Sequence, residues 1–102
     1  MFIQTQKTPN PNSLKFVTGK KVSAIGSIEI SKNEMTDNIL LKNIFSVKGV
    51  ESIFLTEDFL SINKQEDSDW EDIKHIVIAF LNEFYANGRE IIIDQKPSVI
   101  NV

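Results

Sequence analysis

The sequence predicts an α+β fold, a two-layer sandwich in which two helices pack on one face of a mainly antiparallel sheet. Two observations predict it: short apolar segments lie between turn residues, as in strands, and two further segments carry apolar residues at helical spacing. In chain order the segments read β-β-β-α-β-β-α. A chain of 102 residues is the size of one small domain with a single core.

The first two strands are predicted at residues 2–6 and 14–17, with a loop of turn-forming residues between them. The loop reads Thr8-Pro9-Asn10-Pro11-Asn12-Ser13. Pro9 and Pro11 fix their own φ and push the residue before each of them toward extended geometry, and Asn and Ser side chains can bond nearby backbone groups. We therefore expect a β-hairpin whose connector holds one shape.

Three more strands follow from alternation and turn signals. A third strand is predicted within residues 22–30, because Ile28 and Ile30 alternate with a polar residue. Residues 50–55 and 59–64 are apolar or alternating around a polar turn, and we interpret them as a second hairpin.

The first helix is predicted from about residue 39 to residue 47. Its apolar residues fall on one face, Asn38 is the expected N-cap, and Gly49 lies just past its end. These signals together predict a short helix between the third and fourth strands.

The second helix has the clearest boundaries. Ser68 to Glu71 matches an S-x-x-E capping box, acidic residues fill the first turn, and Gly88 is placed to close the helix. The residues predicted to pack on the sheet are Trp70, Ile73, Val77, Phe80, Leu81 and Phe84.

Residues 89–102 mix Ile91, Ile92 and Ile93 with polar residues and fit no regular element for long. We interpret residues 1–88 as the domain. Residues 89–102 are then a tail, either an edge strand or the beginning of a linker.

Composition excludes several classes of function. The chain contains no Cys, which rules out disulfides, thiolate nucleophiles and sulfur-ligated metal within it. A net charge of −3 argues against binding nucleic acid. No apolar run approaches the ~20 residues that cross a bilayer, so no membrane association is expected. The first residues lack an export or import signal, which predicts a bacterial cytoplasmic location.

A resemblance to a known family rests on Thr8-Pro9-Asn10-Pro11-Asn12-Ser13-Leu14-Lys15-Phe16, which resembles the opening T-P-N-P-N-S-L-K-F signature of the Nfu/NifU-like N-terminal domain. The similarity covers residues 1–87. Asn38 and Ile39 depart from the family's usual Ser-Pro at the start of the first helix. Further matching pairs are Leu40-Leu41, Ile44-Phe45, Gly49-Val50, Ile53-Phe54, Asp58-Phe59 and Asp69-Trp70.

The resemblance implies a non-catalytic module of an iron–sulfur cluster scaffold or carrier. Family members usually continue into a second domain whose C-x-x-C pair holds the cluster, and the tail at residues 89–102 would lead toward it. We therefore expect no cofactor in this chain, with the cluster only on that domain or on a partner, and iron binding as a property of the family. Expected partners are iron–sulfur scaffold or client proteins, with the chain's own C-terminal cluster domain as one candidate.

The loop and the strand after it supply the candidate partner-binding residues, because loops carry binding while a sheet positions them. The alternative is that the loop is only a well-made hairpin turn. The candidates are Thr8, Pro9, Asn10, Pro11, Asn12 and Lys15.

Two charged groups have a functional and a simpler interpretation. Lys7, Lys15, Lys20 and Lys21 could steer an acidic partner, although a solvated surface explains them as well. The acidic run could attract Fe²⁺ or Ca²⁺, but it lacks the EF-hand order, and helix capping accounts for it. The acidic residues are Glu66, Asp67, Asp69, Glu71 and Asp72.

The chain offers no combination of residues for catalysis. His75 is the single imidazole, and helical spacing places it opposite the apolar stripe, where it is expected to be solvated. We predict that the chain is not an enzyme and has no catalytic or metal-ligating residues. The alternative to the iron–sulfur role is a free-standing protein-binding or regulatory domain.

Overall fold

Two helices pack against a five-stranded antiparallel sheet in the computed structural model of the chain, which describes residues 3–94 and 99–100. The elements are β1 (Gln4–Lys7), β2 (Ser13–Val17), β3 (Ile28–Ser31), β4 (Met35–Thr36), α1 (Ile39–Phe45), β5 (Val50–Leu55), β6 (Leu60–Lys64), α2 (Trp70–Ala86) and β7 (Val99–Ile100).

The main sheet has the strand order β1-β2-β6-β5-β3, and every neighbouring pair is antiparallel. This confirms the predicted α+β fold and the order of its main elements. The sequence did not predict β4. It pairs in a separate two-stranded sheet with β7, which lies in the tail where an edge strand was one of the two interpretations.

One face of the sheet is buried because its side chains alternate. In β2, Leu14 and Phe16 are buried, and in β6 Leu60, Ile62 and Lys64 point the same way. Both helices cover this face, while the intervening residues of β2 and β6 remain only half-buried on the other. Each fully buried aliphatic or aromatic side chain stabilises the fold by about 1.5–3 kcal/mol.

Helix α2 packs on the sheet through residues four positions apart. Ile73, Val77, Leu81 and Tyr85 are its buried residues. The predicted apolar stripe did not include Tyr85. A Tyr side chain carries a hydroxyl group, so a sequence alone does not show whether it is buried. Burial raises the pKa of Tyr85, and a hydrogen bond to the Thr18 hydroxyl opposes that rise. Trp70, Phe80 and Phe84 were predicted as core residues and are only partly buried.

The predicted capping box at the start of α2 is wrong by one residue. Asp69 is the N-cap, and its carboxylate accepts a hydrogen bond from the Glu71 amide at 3.0 Å. Ser68 instead lies against the backbone of Gly49, in the space that a Cβ at residue 49 would occupy. Contact between the turn after α1 and the segment before α2 therefore occupies the residue that the motif assigns to capping.

The predicted N-cap of α1 is confirmed, and the same residue also holds the chain after α2. The Asn38 Oδ1 accepts from the Leu41 amide at 3.1 Å, while its Nδ2 donates to the Ile92 carbonyl at 3.1 Å. Ile92 and Ile93 are buried, so residues 89–94 return to the core. The domain boundary at residue 88 stays a prediction, and residues 95–98 and 101–102 lie outside the described residues.

Three predicted boundaries need correction. The first strand begins at Gln4 and the first helix ends at Phe45, while Phe2 lies outside the described residues. The third strand is only Ile28–Ser31. Its predicted first half is irregular because the backbone there bonds elsewhere: the Val22 amide donates to the Glu57 carbonyl, and the Ala24 amide donates to the Ile93 carbonyl.

Two constraints require a glycine at position 49: a positive φ and the close approach of Ser68. A comparison with Gly88, which has only the first constraint, tests this. The φ of Gly49 is +98°, and a Cβ there would lie 2.8 Å from the Ser68 Cβ, whereas Gly88 has φ +86° with open space around it. We predict that Gly88→Ala lowers the free energy of unfolding by about 1 kcal/mol. Gly49→Ala lowers it by at least about 1 kcal/mol more. Urea denaturation measures both, and equal losses would contradict the role of Ser68.

Candidate functional site

The loop between β1 and β2 is held in shape by its own polar groups. The Thr8 hydroxyl donates to the Asn10 carbonyl at 2.9 Å, and the Asn10 Oδ1 accepts from the Asn12 amide at 2.9 Å. The Ser13 amide donates to the Asn10 carbonyl at 3.0 Å. The loop is therefore a network of short-range hydrogen bonds between side chains and backbone, of the kind that Asn, Ser and Thr form in turns.

Two residues from distant parts of the chain anchor this loop. The Lys64 amide donates to the Asn12 carbonyl at 2.8 Å, and the Lys64 Nζ donates to the Asn12 Oδ1 at 3.1 Å. At the start of α2 the Trp70 indole N–H donates to the Pro11 carbonyl at 3.0 Å. The loop is thereby joined to the sheet through β6 and to the helix layer through α2.

Lys64 is 8% exposed, although its side chain ends in an ammonium group. Besides Asn12, its Nζ donates to the Gln65 carbonyl at 3.2 Å and lies 5.9 Å from the centre of the Trp70 ring. A buried charge costs free energy unless it is bonded, and these contacts supply that compensation at the base of the loop.

The anchored loop presents three of the six candidate residues to solvent. Pro9, Asn10 and Pro11 are exposed, while Thr8 and Asn12 are half-buried because they serve the internal network. The sixth candidate, Lys15, lies on β2 and extends over the Phe59 ring, 4.1 Å from its centre. The structure therefore places five of the candidates in one loop and Lys15 on the sheet face away from the helices.

The four lysines predicted as a basic face do not share one surface. Lys7 lies opposite Leu14 in the β1–β2 pair, so it shares the buried side of the sheet, whereas Lys15 is on the other side. Lys20 lies over the Tyr85 ring at 5.7 Å, and the Lys21 Nζ is 3.7 Å from the Glu57 carboxylate.

Three residues of the acidic run stabilise the start of α2. Asp69 caps it, and Glu71 and Asp72 lie in its first turn, where the helix dipole favours negative charge. Across residues 3–94, no three acidic, His or Cys side chains gather where they could hold a metal ion. His75 is exposed, as predicted.

Sequence reasoning missed the parts that Lys64 and Trp70 play at the loop. The alternation of β6 already placed Lys64 on the same side as Leu60 and Ile62, which was a signal that its charge would be buried. Trp70 was assigned to the core, but it is half-buried and its N–H reaches the loop. Neither the partner nor the distance of that bond is visible in a sequence.

Within the part of the chain that is described, no helix combines the length and the apolar character needed to cross a membrane.

Comparison with known proteins finds the same resemblance over most of the chain. Residues 3–88 match the family described as scaffold protein Nfu/NifU N terminal. The mitochondrial NFU1 iron–sulfur cluster scaffold homolog of Drosophila erecta is 42% identical over 100 residues, which are 96% of this chain and 35% of that protein. The human protein of that name is 37% identical, with 96% of this chain and 39% of that protein covered.

A solved structure agrees with these sequence matches. The solution structure of a NifU-like protein from Saccharomyces cerevisiae superposes with a TM-score of 0.78 at 32% identity. The match covers 93% of this chain and 86% of that one. The chain spans about a third of the length of the curated relatives it matches.

The predicted bacterial cytoplasmic location is wrong. Relatives that match 96% of this chain, from Drosophila erecta, Arabidopsis thaliana and human, are named as mitochondrial proteins. The prediction rested on the first few residues of the sequence, and the start of a domain carries no information about the compartment of the whole protein.

The bond between Trp70 and Pro11 is tested by removing the indole N–H. We predict that Trp70→Phe lowers the free energy of unfolding by about 1 kcal/mol and shifts the NMR amide signals of Asn12 and Ser13, because the loop loses one anchor. Phe80→Leu also removes half-buried aromatic surface from α2 and leaves those signals in place. Loop signals that do not move in Trp70→Phe would show that this hydrogen bond does not hold the loop.

Proposed function

Because the chain belongs to the family of Nfu/NifU scaffold N-terminal domains, we propose that it is a non-catalytic docking module of an iron–sulfur cluster scaffold or carrier. The module takes part in cluster assembly and delivery by binding proteins. The cluster itself is held elsewhere, on a C-x-x-C domain or on a partner.

The loop at residues 8–13 is the observation that carries this proposal. Hydrogen bonds within the loop and from Lys64 and Trp70 hold its backbone, so its exposed residues Pro9, Asn10 and Pro11 are kept in one arrangement. A surface that is ordered before binding loses less conformational entropy when a partner arrives. Such a loop is suited to recognising a protein surface.

The chemistry of the chain supports a cluster held elsewhere. Thiolates are the usual ligands of iron–sulfur clusters, and the sequence contains no Cys. Its carboxylates are hard oxygen donors, and those at the start of α2 serve the helix. The iron and sulfide of the scaffold's reaction are therefore cargo of the larger system, and this chain contributes contacts between proteins.

Anaerobic reconstitution with iron and sulfide tests the absence of a cluster on this chain. We predict that the desalted chain retains no stoichiometric iron and shows no visible absorption from a cluster, because it lacks thiolate ligands. A carrier with a C-x-x-C pair, treated in parallel, acquires both signals. Stoichiometric iron and sulfide on this chain would contradict the proposal.

Binding to a C-x-x-C carrier or a cluster client, purified from the same organism, tests the docking role. We predict that the double variant Pro9→Ala/Lys15→Met weakens that binding by about tenfold, because it removes exposed apolar surface and a charge beside the loop. Lys32→Met is the matched control, since Lys32 is exposed on the turn after β3.

Titration calorimetry measures both dissociation constants. Equal weakening by the control would assign the effect to net charge. If no carrier or client binds, the docking proposal is contradicted and the alternative of a free-standing binding domain is favoured.

A further inference from the structure

Exposed apolar side chains concentrate in one place on the surface of the helix layer. Among the side chains that the structure describes, four large hydrophobic ones are exposed: Ile25, Ile39, Ile76 and Ile91. The last three line two adjacent cavities between α1 and α2, which together are called the groove, and Ile39 is 65% exposed. Isolated exposed hydrophobic residues are ordinary on a protein surface, but a cluster of them marks an interaction site.

The groove is formed by two cavities that share Phe80. The first has a volume of about 390 Å³ and is lined by Ile39, Ile91 and Phe84. The second has a volume of about 480 Å³ and is lined by Ile76 at the other end. Ile76, Phe80 and Phe84 follow one another at four-residue spacing, so an apolar floor one stripe wide extends for about 12 Å along α2. The walls beside it are mostly polar in the first cavity. A helix of two to three turns fits the length of the floor.

The rim of the groove is acidic. Six carboxylates line the two cavities against two cations, Lys48 and Arg89. Stabilisation of α2 does not account for all of them, because Glu83 is in its last turn, where the helix dipole disfavours an acid. The acidic residues are Asp37, Glu83 and Asp94 in the first cavity and Asp67, Asp69 and Asp72 in the second.

We propose that this groove binds a basic amphipathic helix of a partner protein. The apolar face of that helix covers Ile39, Ile76 and Phe80, and its Lys and Arg side chains face the carboxylates on the rim. Charge complementarity of this kind accelerates association and selects among partners. The inference rests on the groove alone and does not depend on the iron–sulfur role.

The same charges argue against other occupants. In a symmetric dimer formed through this groove, the two acidic rims would face each other, and like charges across an interface oppose association. An anionic membrane surface would be repelled for the same reason. A basic amphipathic helix satisfies both the apolar floor and the acidic rim.

Titration of the isotope-labelled chain with a synthetic peptide of about 14 residues tests the proposal by NMR. The peptide carries Leu on one helical face and Lys on its flanks, and a second peptide carries Glu in place of each Lys. We expect the Lys peptide to shift the amide signals of Ile39, Ile76, Phe80 and Phe84 selectively. The Glu peptide leaves these signals unchanged.

Matched variants distinguish binding in the groove from nonspecific hydrophobic binding elsewhere on the surface. Ile76→Gln is expected to weaken binding of the Lys peptide by about fivefold to tenfold, because it removes part of the apolar floor. Ile25→Gln alters an isoleucine that is 39% exposed outside the groove and should have no effect. Glu83→Gln is expected to weaken binding at low salt, whereas Glu29→Gln, on an exposed strand residue, is not.

Several results would overturn the proposal. They are equal binding of the two peptides, equal losses in Ile76→Gln and Ile25→Gln, or the absence of shifts in the groove with either peptide. Two others would assign the groove to a different occupant: self-association abolished by Ile76→Gln in analytical ultracentrifugation, or binding to phosphatidylglycerol vesicles abolished by the same change.

Discussion

The antiparallel pairing of β2 with β6 is the contact on which the rest of the structure depends. An isolated hairpin such as β1–β2 is marginally stable in water. Pairing with β6 places that hairpin inside a five-stranded sheet and brings Asn12 to Lys64, which is 52 positions away. The same placement brings Pro11 within 3.0 Å of the Trp70 indole. A loop that would otherwise be held only by its own turn acquires two distant anchors.

The register of that pair also determines the two faces of the sheet. Leu14 lies opposite Ile62 and is buried beneath the helices, whereas Lys15 lies opposite Ser61 on the other face. A shift of one residue would exchange these faces and bury Lys15. The helices pack on the inward side of the sheet and carry the groove on their outer surface, and the loop lies at the start of β2. The two candidate surfaces are separate consequences of one register.

Local rules predicted most of the fold. Proline spacing predicted the loop, the apolar or alternating residues around a polar turn predicted the β5–β6 hairpin, and the four-residue spacing of Ile73, Val77 and Leu81 predicted the packing of α2. Each of these signals is contained within a few consecutive residues, so a sequence displays it directly. The anchoring of the loop depends on Lys64 and Trp70, which contact it only in the folded structure. No local sequence pattern predicts a contact between residues so far apart in the chain.

The errors have the same origin. Ser68 satisfies the capping pattern, but contact with Gly49 takes it away from the helix start. Residues 22–24 resemble a strand, yet their backbone bonds to Glu57 and to the returning segment at Ile92 and Ile93. In both places a tertiary contact prevailed over a local preference. The sequence did not predict the groove for a related reason. Ile39 and Ile76 are each compatible with the buried face of an amphipathic helix, and only the folded structure shows that both are exposed and close to each other.

The central claim is that the loop at residues 8–13 has one rigid conformation in the free chain, because contacts with the sheet and with α2 hold it in place. Backbone ¹⁵N relaxation of the free chain tests it most directly. The account predicts order parameters near 0.85 for the amides of Asn10, Asn12 and Ser13, as in rigid backbone. Values below about 0.6 would show a flexible loop on the picosecond to nanosecond timescale and would contradict the claim.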